Sequence, residues 1–352
     1  MSINEGVQGR PGTATVRPRA YEEALRTEIR LTPTDMLALV AEPLAEVEKE
    51  FQRNLDSNIR VIAEIGRYIS EGGGKRIRPG LLLLACRACG YQGRQDILYG
   101  AVFEFIHTAT LVHDDVIDEA DSRRGRQSVN NRWGNTLTIL LGDYLYIRSL
   151  SMALSGGNLR ILDLMSRITL QMIEGELIQT HAAGRLDLTE TEYLDLVTRK
   201  TASLFSGCCE TAGLLVGRDD WRECLRIYGL AIGIAYQLVD DLLDFTSEQA
   251  ILGKPVASDL REGKLTLPVI DLISRKPGIE PMVRAIVDQP DDSDAAYATL
   301  VAGLQEEGCL ERAHARALQE AEKAREALRP LPPTAFRDAL LSLPDLLVSR
   351  KF

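Results

Sequence analysis

Residues 104–126, EFIHTATLVHDDVIDEADSRRGR, carry the pattern that decides the fold of this 352-residue chain. Apolar residues recur there at spacings of three and four, which is typical of one face of a helix. The run ends in the motif D-D-x-x-D at Asp114, Asp115 and Asp118. Positions i and i+4 of a helix share a face, so the pattern predicts three carboxylates clustered at one helix end.

The same motif recurs as Asp240, Asp241 and Asp244 in YQLVDDLLDF, again at the end of an apolar helical run. Like charges at i and i+4 cost about 0.2–0.5 kcal/mol per pair on an exposed helix, and burial without a cation costs more. The alternative is a solvated acidic face, such as QPDDSD at 289–294, which has no apolar flanks. The apolar surroundings of both D-D-x-x-D copies favour a site for a hard cation, Mg²⁺ or Mn²⁺, shared with a phosphate-bearing substrate.

The rest of the chain shows amphipathic stretches with helical spacing, and alternating β-branched runs bounded by tight turns are missing. We therefore predict an all-α fold with one large helical domain at 34–352. Residues 1–33 carry Gly, Pro and scattered Arg and are interpreted as a flexible N-terminal arm. Thr34 or Asp35 is expected to cap the first helix, and Pro43 to kink or split it. The later helical stretches are predicted at about 55–70, 79–90, 94–119, 135–155, 158–182, 190–216, 220–247, 264–275, 280–288, 293–326 and 333–350.

Composition limits the classes of function that the chain can have. Hydrophobic residues make up 45% and charged residues 26%, which excludes wholesale disorder. The net charge of −10 disfavours nucleic acid as a partner, because phosphate backbones require a basic surface. We expect no transmembrane segment, since no apolar run reaches roughly 18 residues, and no signal peptide. Cys86 and Cys89 form a C-x-x-C inside an apolar run, so we interpret them as buried structural residues in a cytoplasmic protein.

Basic residues accompany the acidic motifs. In GGGKRIRP, at 72–79, Lys75 and Arg78 lie three apart before a helix and could converge on one anion. Each cation taken alone is more typical of a solvated surface, but together they predict a cradle for a diphosphate. The other members of this basic set are Arg123 and Arg124 after the first motif, Lys200 with Thr201 in TRKTASLFSG, and Lys254 and Lys264 after the second motif.

His107 lies seven residues, or two helical turns, before Asp114, so both are predicted to face the same side. A hydrogen bond from His107 to a diphosphate is expected, and a satisfied core histidine is the alternative.

Together these motifs resemble those of the trans-type polyprenyl diphosphate synthases, which elongate isoprenyl chains head to tail. The similarity runs from about residue 35 to the C-terminus. It implies a bundle of long helices around a deep apolar cavity, normally as a homodimer. The segments that carry it are GGGKRIRP, EFIHTATLVHDDVIDEADSRRGR, EGELIQ, KTASLF, YQLVDDLLDF and GKPVASDLREGKLTLP.

The resemblance implies roles for individual residues, with isopentenyl diphosphate and an allylic diphosphate as the substrates. The ligands and supports of three Mg²⁺ ions, which Mn²⁺ can replace, would be Asp114, Asp115, Asp118, Asp240 and Asp244, with Asp241 acting through its neighbours. The cations on the allylic diphosphate would be Arg123, Lys200 and Lys264, with Lys254 beside them. The pocket for isopentenyl diphosphate would comprise Lys75, Arg78, His107 and Arg124. Polar groups near the reacting carbons would be Gln179, Thr201 and Gln237, and Asp259 would lie in a loop that orders over the site.

The implied chemistry needs no protein nucleophile. Metal ions and cations stabilise the departing pyrophosphate, so the allylic C–O bond ionises in an apolar pocket. The double bond of isopentenyl diphosphate then attacks the carbocation, and a proton is lost to the pyrophosphate. Each cycle adds five carbons.

In this family the residues four and five positions before the first motif often gate the cavity. Here they are Thr110 and Ala109, both small, and Ile106 continues the same face. Because each helical turn opened adds about 5.4 Å of depth, we expect a long product of about C35–C50, with octaprenyl diphosphate for quinone side chains favoured. A bulky residue of another helix, Met165 or Met172, is the alternative limit. The competing functions are a farnesyl or geranylgeranyl diphosphate synthase, a non-catalytic subunit of a heteromeric synthase, and a terpene cyclase.

A location in the cytoplasm is expected, and loose association with a membrane surface is compatible with a greasy product. No basic amphipathic helix in the sequence indicates such association.

Overall fold

The computed structural model describes residues 32–246, 258–289 and 293–349. Within these ranges the chain is helical apart from one short antiparallel hairpin, so the predicted all-α class is confirmed. The predicted N-terminal arm lies almost wholly outside the described residues, as does Lys254. The division into an arm at 1–33 and a domain at 34–352 stays a prediction.

The elements follow in chain order. They are α1 Pro33–Ala38, α2 Ala41–Leu55, α3 Arg60–Glu71, α4 Ile77–Ala88, α5 Gln95–Ile117, β1 Ser122–Arg123, β2 Arg126–Gln127, α6 Val129–Trp133, α7 Asn135–Ser155, α8 Leu159–Ala182, α9 Glu190–Val197, a π-turn Thr198–Ala202, α10 Ser203–Val216, α11 Asp219–Thr246, α12 Ser258–Arg261, α13 Leu267–Arg275, a 3₁₀ turn Pro277–Ile279, α14 Glu280–Asp288, α15 Asp294–Glu306, α16 Cys309–Ala327 and α17 Ala335–Val348.

The start of the first helix corrects one prediction. Thr32, rather than Thr34 or Asp35, is the N-cap, because its hydroxyl accepts a hydrogen bond from the Asp35 backbone N–H. The Asp35 carboxylate accepts a bond from the Thr32 N–H in return, at 2.9 Å, which completes a capping box. The chain does break here as expected, but the break falls between α1 and α2, and Pro43 lies in the first turn of α2.

Two of the longest predicted helices are interrupted. The stretch predicted at 293–326 ends as α15 and restarts as α16, because Gly308 has a φ of +66° that a helix cannot continue. The stretch predicted at 190–216 contains the π-turn between α9 and α10. In both cases the apolar spacing continues across the interruption, so periodicity alone did not reveal it.

The core forms around α11, which packs against α10 on one side and α16 on the other, while α5 packs against α7. Large side chains from several helices are fully buried there, among them Phe103, Phe105, Phe205 and Tyr228. Burial at about 25 cal/mol per Å² of apolar surface makes this core the main source of stability. The C-terminal ends of α5 and α11, which carry the aspartate motifs, border one cavity.

The cysteines are structural, as predicted. All six are free thiols, and Cys86 and Cys89 are buried in the core. Burial raises the pKa of the Cys89 thiol to about 12, so it is protonated and unreactive at neutral pH.

Helix α7 qualifies one expectation from the sequence. By length and composition alone, this 21-residue helix could cross a membrane, and 39% of its apolar window is buried inside the protein. Several large apolar side chains on α7, including Leu140 and Ile147, are exposed.

Candidate active site

A cavity of about 1150 Å³ opens between the loop before α4, helices α5, α7 and α8, the π-turn and α11. It is large enough for a drug-sized ligand or more. It brings together residues that lie far apart in the sequence. Of those predicted to form the site, the cavity is lined by Lys75, Arg78, His107, Thr110, Asp114, Arg123, Arg124, Lys200, Thr201, Gln237 and Asp240.

The first aspartate motif ends α5, and the structure places a cation beside each of its carboxylates. Burial raises the pKa of Asp114 to about 6, and the positive charge of Lys200 opposes that rise. The buried Asp115 accepts a hydrogen bond from Arg123 Nε at 2.5 Å. Asp118 accepts one from Lys264 Nζ at 2.8 Å. Charge-assisted bonds of this kind are roughly twice as strong as neutral ones.

Lys264 therefore lies at the first motif, although it follows the second motif in sequence. It also pairs with Glu262 at 2.7 Å. Burial opposes its charge, but the bonds to Asp118 and Glu262 outweigh burial and raise its pKa.

The second motif lies near the end of α11, and neutral donors bond to Asp241 and Asp244. Asp240 lines the main cavity, whereas Asp241 and Asp244 are buried. Asp241 accepts hydrogen bonds from the Tyr193 hydroxyl and from Gln237 Nε2, the latter at 2.8 Å. Burial raises the pKa of Asp241 to about 7, and these two donors oppose that rise.

The segment after the second motif also contacts it. The backbone N–H of Asp259 donates to Asp244 Oδ2 at 3.2 Å. Burial, followed by the negative charges of Asp241 and Asp244, raises the pKa of the Asp259 carboxyl.

The carboxylates suit a divalent metal by their chemistry, since their oxygens are the ligands that Mg²⁺ and Ca²⁺ prefer. Over the described ranges, no three His, Cys, Asp or Glu side chains converge closely enough to hold an ion by themselves. Asp114 and Asp240 nevertheless reach the same cavity from two helices. One or two carboxylates combined with substrate phosphates is the usual Mg²⁺ arrangement, so the residues present fit such an ion.

The opposite wall of the cavity is basic. Arg78 Nη1 lies 3.0 Å from His107 Nε2, and its guanidinium stacks 4.7 Å from the centre of the Phe205 ring. Burial, reinforced by the charges of Arg78 and Arg124, lowers the pKa of His107 well below its usual range. His107 is therefore neutral at pH 7, and its Nε2 can accept a hydrogen bond from Arg78. The Nε of Arg78 is buried and has no hydrogen-bond partner among the described residues, so it can still bind a ligand.

Arg76 is a residue that the sequence reasoning missed. It has a left-handed backbone, with φ of +47°, and its side chain pairs with Glu104 and, at 2.8 Å, with Glu48. This anchor fixes the loop between Lys75 and Arg78. Arg124 closes the same loop by donating to the Gly73 carbonyl oxygen. No local feature of the sequence marks this anchor, because Glu104 and Glu48 reach Arg76 from two other helices, α5 and α2.

The π-turn supplies the predicted cation and hydroxyl. Lys200 Nζ lies 2.5 Å from Glu176, another cavity residue that the sequence reasoning left without a role. The Thr201 hydroxyl donates to Gln237 Oε1 at 3.0 Å. Lys200, Thr201 and Gln237 also border a second pocket of about 150 Å³, which contains Gln179 and Lys264. All of the predicted polar residues that are described thus lie at one of two adjoining pockets, except the buried Asp115 and Asp244 and the partly exposed Asp118.

The residues predicted to set product length divide into two groups. Thr110 lines the main cavity, as does Met172 from α8. Ala109, Ile106 and Met165 are buried in the core and do not belong to the cavity lining. The helical face that meets the cavity is therefore the one with Thr110, and Ala109 lies about 100° away on the same helix.

Comparison with known proteins adds a family. Residues 59–303 match the family model of polyprenyl synthetases. Octaprenyl diphosphate synthase of Escherichia coli is 40% identical over 314 residues, which are 89% of this chain and 97% of that protein. An all-trans-nonaprenyl-diphosphate synthase of Rhodobacter capsulatus, described as specific for geranyl diphosphate, is 36% identical over 90% of this chain and 97% of its own length.

Solved structures agree in fold. A decaprenyl diphosphate synthase from Rhodobacter capsulatus superposes with a TM-score of 0.86 at 37% identity, covering 91% of this chain and 99% of that one. A polyprenyl synthase from Caulobacter crescentus, solved with calcium and isoprenyl diphosphate, gives 0.85 at 31% identity, covering 91% and 98%. The latter protein binds a divalent ion together with a diphosphate.

Proposed function

The chain belongs to the polyprenyl synthetase family, and from this premise we propose that it condenses isopentenyl diphosphate head to tail onto an allylic diphosphate to make a long all-trans polyprenyl diphosphate. It is a prenyltransferase with an all-α fold. An octaprenyl product for quinone side chains is favoured, because a 40% identical relative is named for that product. A range of about C35–C50 covers the products named for the long-chain relatives.

One observation carries the proposal. Acidic residues on two helices, Asp114 and Asp240, border the same cavity as a basic wall formed by Lys75, Arg78 and Arg124. A single diphosphate would be satisfied by either wall. Two diphosphate substrates, one met through metal and one met directly, use both.

On the acidic side, Asp114, Asp115, Asp118, Asp240 and Asp244 would hold the metal. The family depends on a divalent ion; we propose Mg²⁺, with three ions per site and Mn²⁺ as a substitute. When bound, the ions would supply positive charge for the departing pyrophosphate. Lys200, Arg123 and Lys264 would add direct cations beside it, since each already lies against a carboxylate of the site.

On the basic side, Lys75, Arg78, Arg124 and neutral His107 would bind isopentenyl diphosphate. Arg78 has an unused buried N–H, and a phosphate oxygen can accept a bond from it. Thr201 and Gln237, already hydrogen-bonded to each other, would face the reacting carbons between the two diphosphates, with Gln179 at the adjoining pocket. Lys254 stays a prediction, as it lies outside the described residues.

We also propose a homodimer that uses the exposed apolar face of α7 and α8. Ten large apolar side chains of these two helices are exposed, and exposed apolar surface on this scale is typical of an interaction surface. A second copy could cover it isologously, which also explains why α7 is apolar enough in length and composition to cross a membrane. Large exposed side chains on these helices that do not line the main cavity are Leu137, Ile139, Leu140, Ile147, Leu154, Leu159, Leu170 and Ile178. Sedimentation of the wild type as a monomer at micromolar concentration would exclude this dimer. The cytoplasmic location inferred from the sequence stays a prediction.

A shorter product is the second candidate. Ala109 and Ile106 lie in the core rather than at the cavity, and Met172 reaches the cavity from α8. A side chain from α8 can therefore limit growth even where α5 carries small residues. A non-catalytic subunit is disfavoured, because this chain keeps both aspartate motifs and every predicted cation.

The decisive experiment is a product analysis. The purified protein is incubated with Mg²⁺, farnesyl diphosphate and labelled isopentenyl diphosphate, and the dephosphorylated products are sized by chromatography. A product in the C35–C50 range supports the proposal. Products that stop at C15 or C20 would replace it with a short-chain synthase, and no incorporation of label with any allylic primer would contradict the prenyltransferase assignment.

A further inference from the structure

The π-turn at 198–202 contains Lys200 and Thr201. The N–H of Ser203 donates to the carbonyl of Thr198, five residues earlier, in place of the usual four. Such turns are rare, because the wider ring packs its backbone less well, and they occur frequently at functional sites. Something outside the turn must stabilise it.

One stabilising surface is α8 at Gly175. A methyl group placed on Gly175 would lie 2.8 Å from the backbone nitrogen of Lys200 and 3.1 Å from its Cα. Backbone atoms cannot move aside as the tip of a side chain can, so only glycine permits this approach. The residues on either side of Gly175 bind the turn as well: Glu174 pairs with Arg199 at 2.6 Å and Glu176 with Lys200 at 2.5 Å.

The other surface is α11 at Gly233. A methyl group there would lie 2.5 Å from the Cα of Ala202. One helical turn further along, Gln237 accepts the hydrogen bond of Thr201. The turn is thus clamped between two glycines on two helices, with a polar contact next to each glycine.

We propose that Gly175 and Gly233 are positioning residues, which hold the π-turn so that the Lys200 ammonium and the Thr201 hydroxyl face the diphosphate of the allylic substrate. This inference rests on the proposed function for the identity of that substrate. It gives a role to the EGELIQ segment, whose glycine and two glutamates form one side of the clamp.

A side chain at Gly175 is expected to lower the affinity for the allylic diphosphate, because it displaces Lys200. A methyl group at Gly175 must push the backbone of Lys200 away by several tenths of an ångström, and a displacement of this kind at a binding cation costs about 10- to 100-fold. The isopentenyl diphosphate wall lies on other elements, namely the loop before α4, α4 itself, α5 and the hairpin, and should be unaffected.

The test is a double-mutant cycle of Gly175→Ala and Lys200→Ala. Binding of farnesyl thiolodiphosphate, a slowly ionising analogue of the allylic substrate, is measured by calorimetry with Mg²⁺. We expect Gly175→Ala to weaken binding at least tenfold in the wild-type background and less than about twofold in the Lys200→Ala background, because contacting residues couple. Equal losses in both backgrounds would overturn the proposal.

Gly213→Ala is the matched control. A methyl group on Gly213 of α10 would lie 2.3 Å from the Cα of Arg222, so the steric conflict with backbone is similar. Neither Gly213 nor Arg222 lines the main cavity or the second pocket. The control should lower the melting temperature comparably and leave analogue affinity within about twofold. An equal loss of affinity in Gly213→Ala would show that packing damage, rather than positioning, explains the effect.

Two further variants test the clamp independently. Gly233→Ala places a methyl group against the turn from α11, and its effect on analogue binding should also depend on Lys200. Glu174→Gln changes a side chain that is 42% exposed and does not depend on core packing, so it will fold. It should weaken binding roughly two- to threefold only when Lys200 is present, as expected for an exposed ion pair; equal effects with and without Lys200 would contradict the clamp. Wild type that fails to bind the analogue would refute the proposed function instead.

Discussion

The two D-D-x-x-D motifs have the same spacing but different surroundings. At the first, Lys200, Arg123 and Lys264 lie beside Asp114, Asp115 and Asp118. At the second, Asp241 is bonded to a phenol and an amide, and Asp244 accepts a backbone N–H. Cations thus lie beside all three carboxylates of the first motif, whereas a phenol, an amide and a backbone N–H, all neutral, bond to Asp241 and Asp244 in the second.

Two motifs of identical spacing can therefore be held in place by different interactions. The first motif is held in place by ion pairs that a metal-bound diphosphate could exchange for its own contacts. The second is held by short-range hydrogen bonds within a buried network, which is worth more when complete than the sum of its parts. We therefore expect the first motif to respond to salt and substrate, and the second to respond mainly to loss of its donors.

The largest expected effect removes a cavity-lining carboxylate from each motif. Asp114→Asn and Asp240→Asn should each lower kcat/KM by roughly 100-fold or more, since each removes a proposed ligand of the metal that would stabilise the departing pyrophosphate. Steady-state assays over a range of Mg²⁺ concentration measure this. If one variant keeps near-normal rates while the other does not, the two motifs do not share the metal.

The next largest effect is on stability, and it differs between the hydrogen-bond partners of the buried Asp115 and Asp241. Arg123→Ala leaves the buried Asp115 without this cation and should cost about 1–3 kcal/mol of unfolding free energy. Tyr193→Phe removes only a neutral donor from Asp241 and should cost about 1 kcal/mol. Urea unfolding in metal-free buffer at low and high salt measures both, and only the Arg123 effect should shrink with salt.

Arg167→Ala is a suitable reference for these two. Its ion pair with Asp163 is exposed on both sides, so the loss should be about 0–0.5 kcal/mol. A Tyr193→Phe effect with the same salt dependence as Arg123→Ala would remove the distinction between the motifs.

A pH measurement separates the acidic side of the cavity from the basic side. Since the pKa of His107 is lowered in the folded protein, the unfolded chain binds the extra proton below its ordinary value of 6.5. Stability is thus lost as the pH falls below about 6.5, and His107→Gln should be up to about 2 kcal/mol less acid-sensitive between pH 7.5 and 5.0. The raised pKa values of Asp114 and Asp241 act in the opposite direction, because their contribution is lost as the pH rises through about 6 and about 7. Identical urea curves for wild type and His107→Gln at both pH values would contradict the buried neutral imidazole.

The smallest expected effect concerns product length. The residue four positions before each motif lines the cavity, Thr110 on α5 and Tyr236 on α11, whereas the residue five positions before is a core alanine in both helices. Thr110→Phe should therefore shorten the product by about one or two isoprene units, given roughly 5.4 Å per helical turn.

Ala109→Phe is the informative counterpart. The gate position that the sequence assigns to Ala109 predicts a shorter product, but its buried position predicts overpacking that costs about 1–3 kcal/mol. Chromatographic sizing of the products, together with a melting curve for each variant, decides whether Ala109 gates the cavity or only packs in the core. A shorter product from Ala109→Phe at unchanged stability would show that Ala109 does limit product length.

The sequence predicted the helical class and most of the cavity, since apolar spacing and motif position determine which helix end each aspartate or cation occupies. It did not predict features set by contacts between distant segments. Nothing local marks that Lys264 pairs with Asp118, or that Arg76 pairs with Glu104 on another helix. The π-turn was invisible because the apolar spacing of TRKTASLF is compatible with an ordinary helix.

The Asp118–Lys264 pair also has a consequence for how the site forms in time. The two residues are 146 positions apart in the chain. At a synthesis rate of about 5–20 residues per second, a nascent chain would carry the first motif for roughly 7 to 30 s before its lysine emerged. Closing so long a loop is entropically costly and slow, so the mouth of the cavity is expected to assemble late, after the local packing of α5 and α7. During that interval the exposed carboxylates would be kept apart from one another only by water and counterions, which makes the early chain more sensitive to ionic conditions than the finished enzyme.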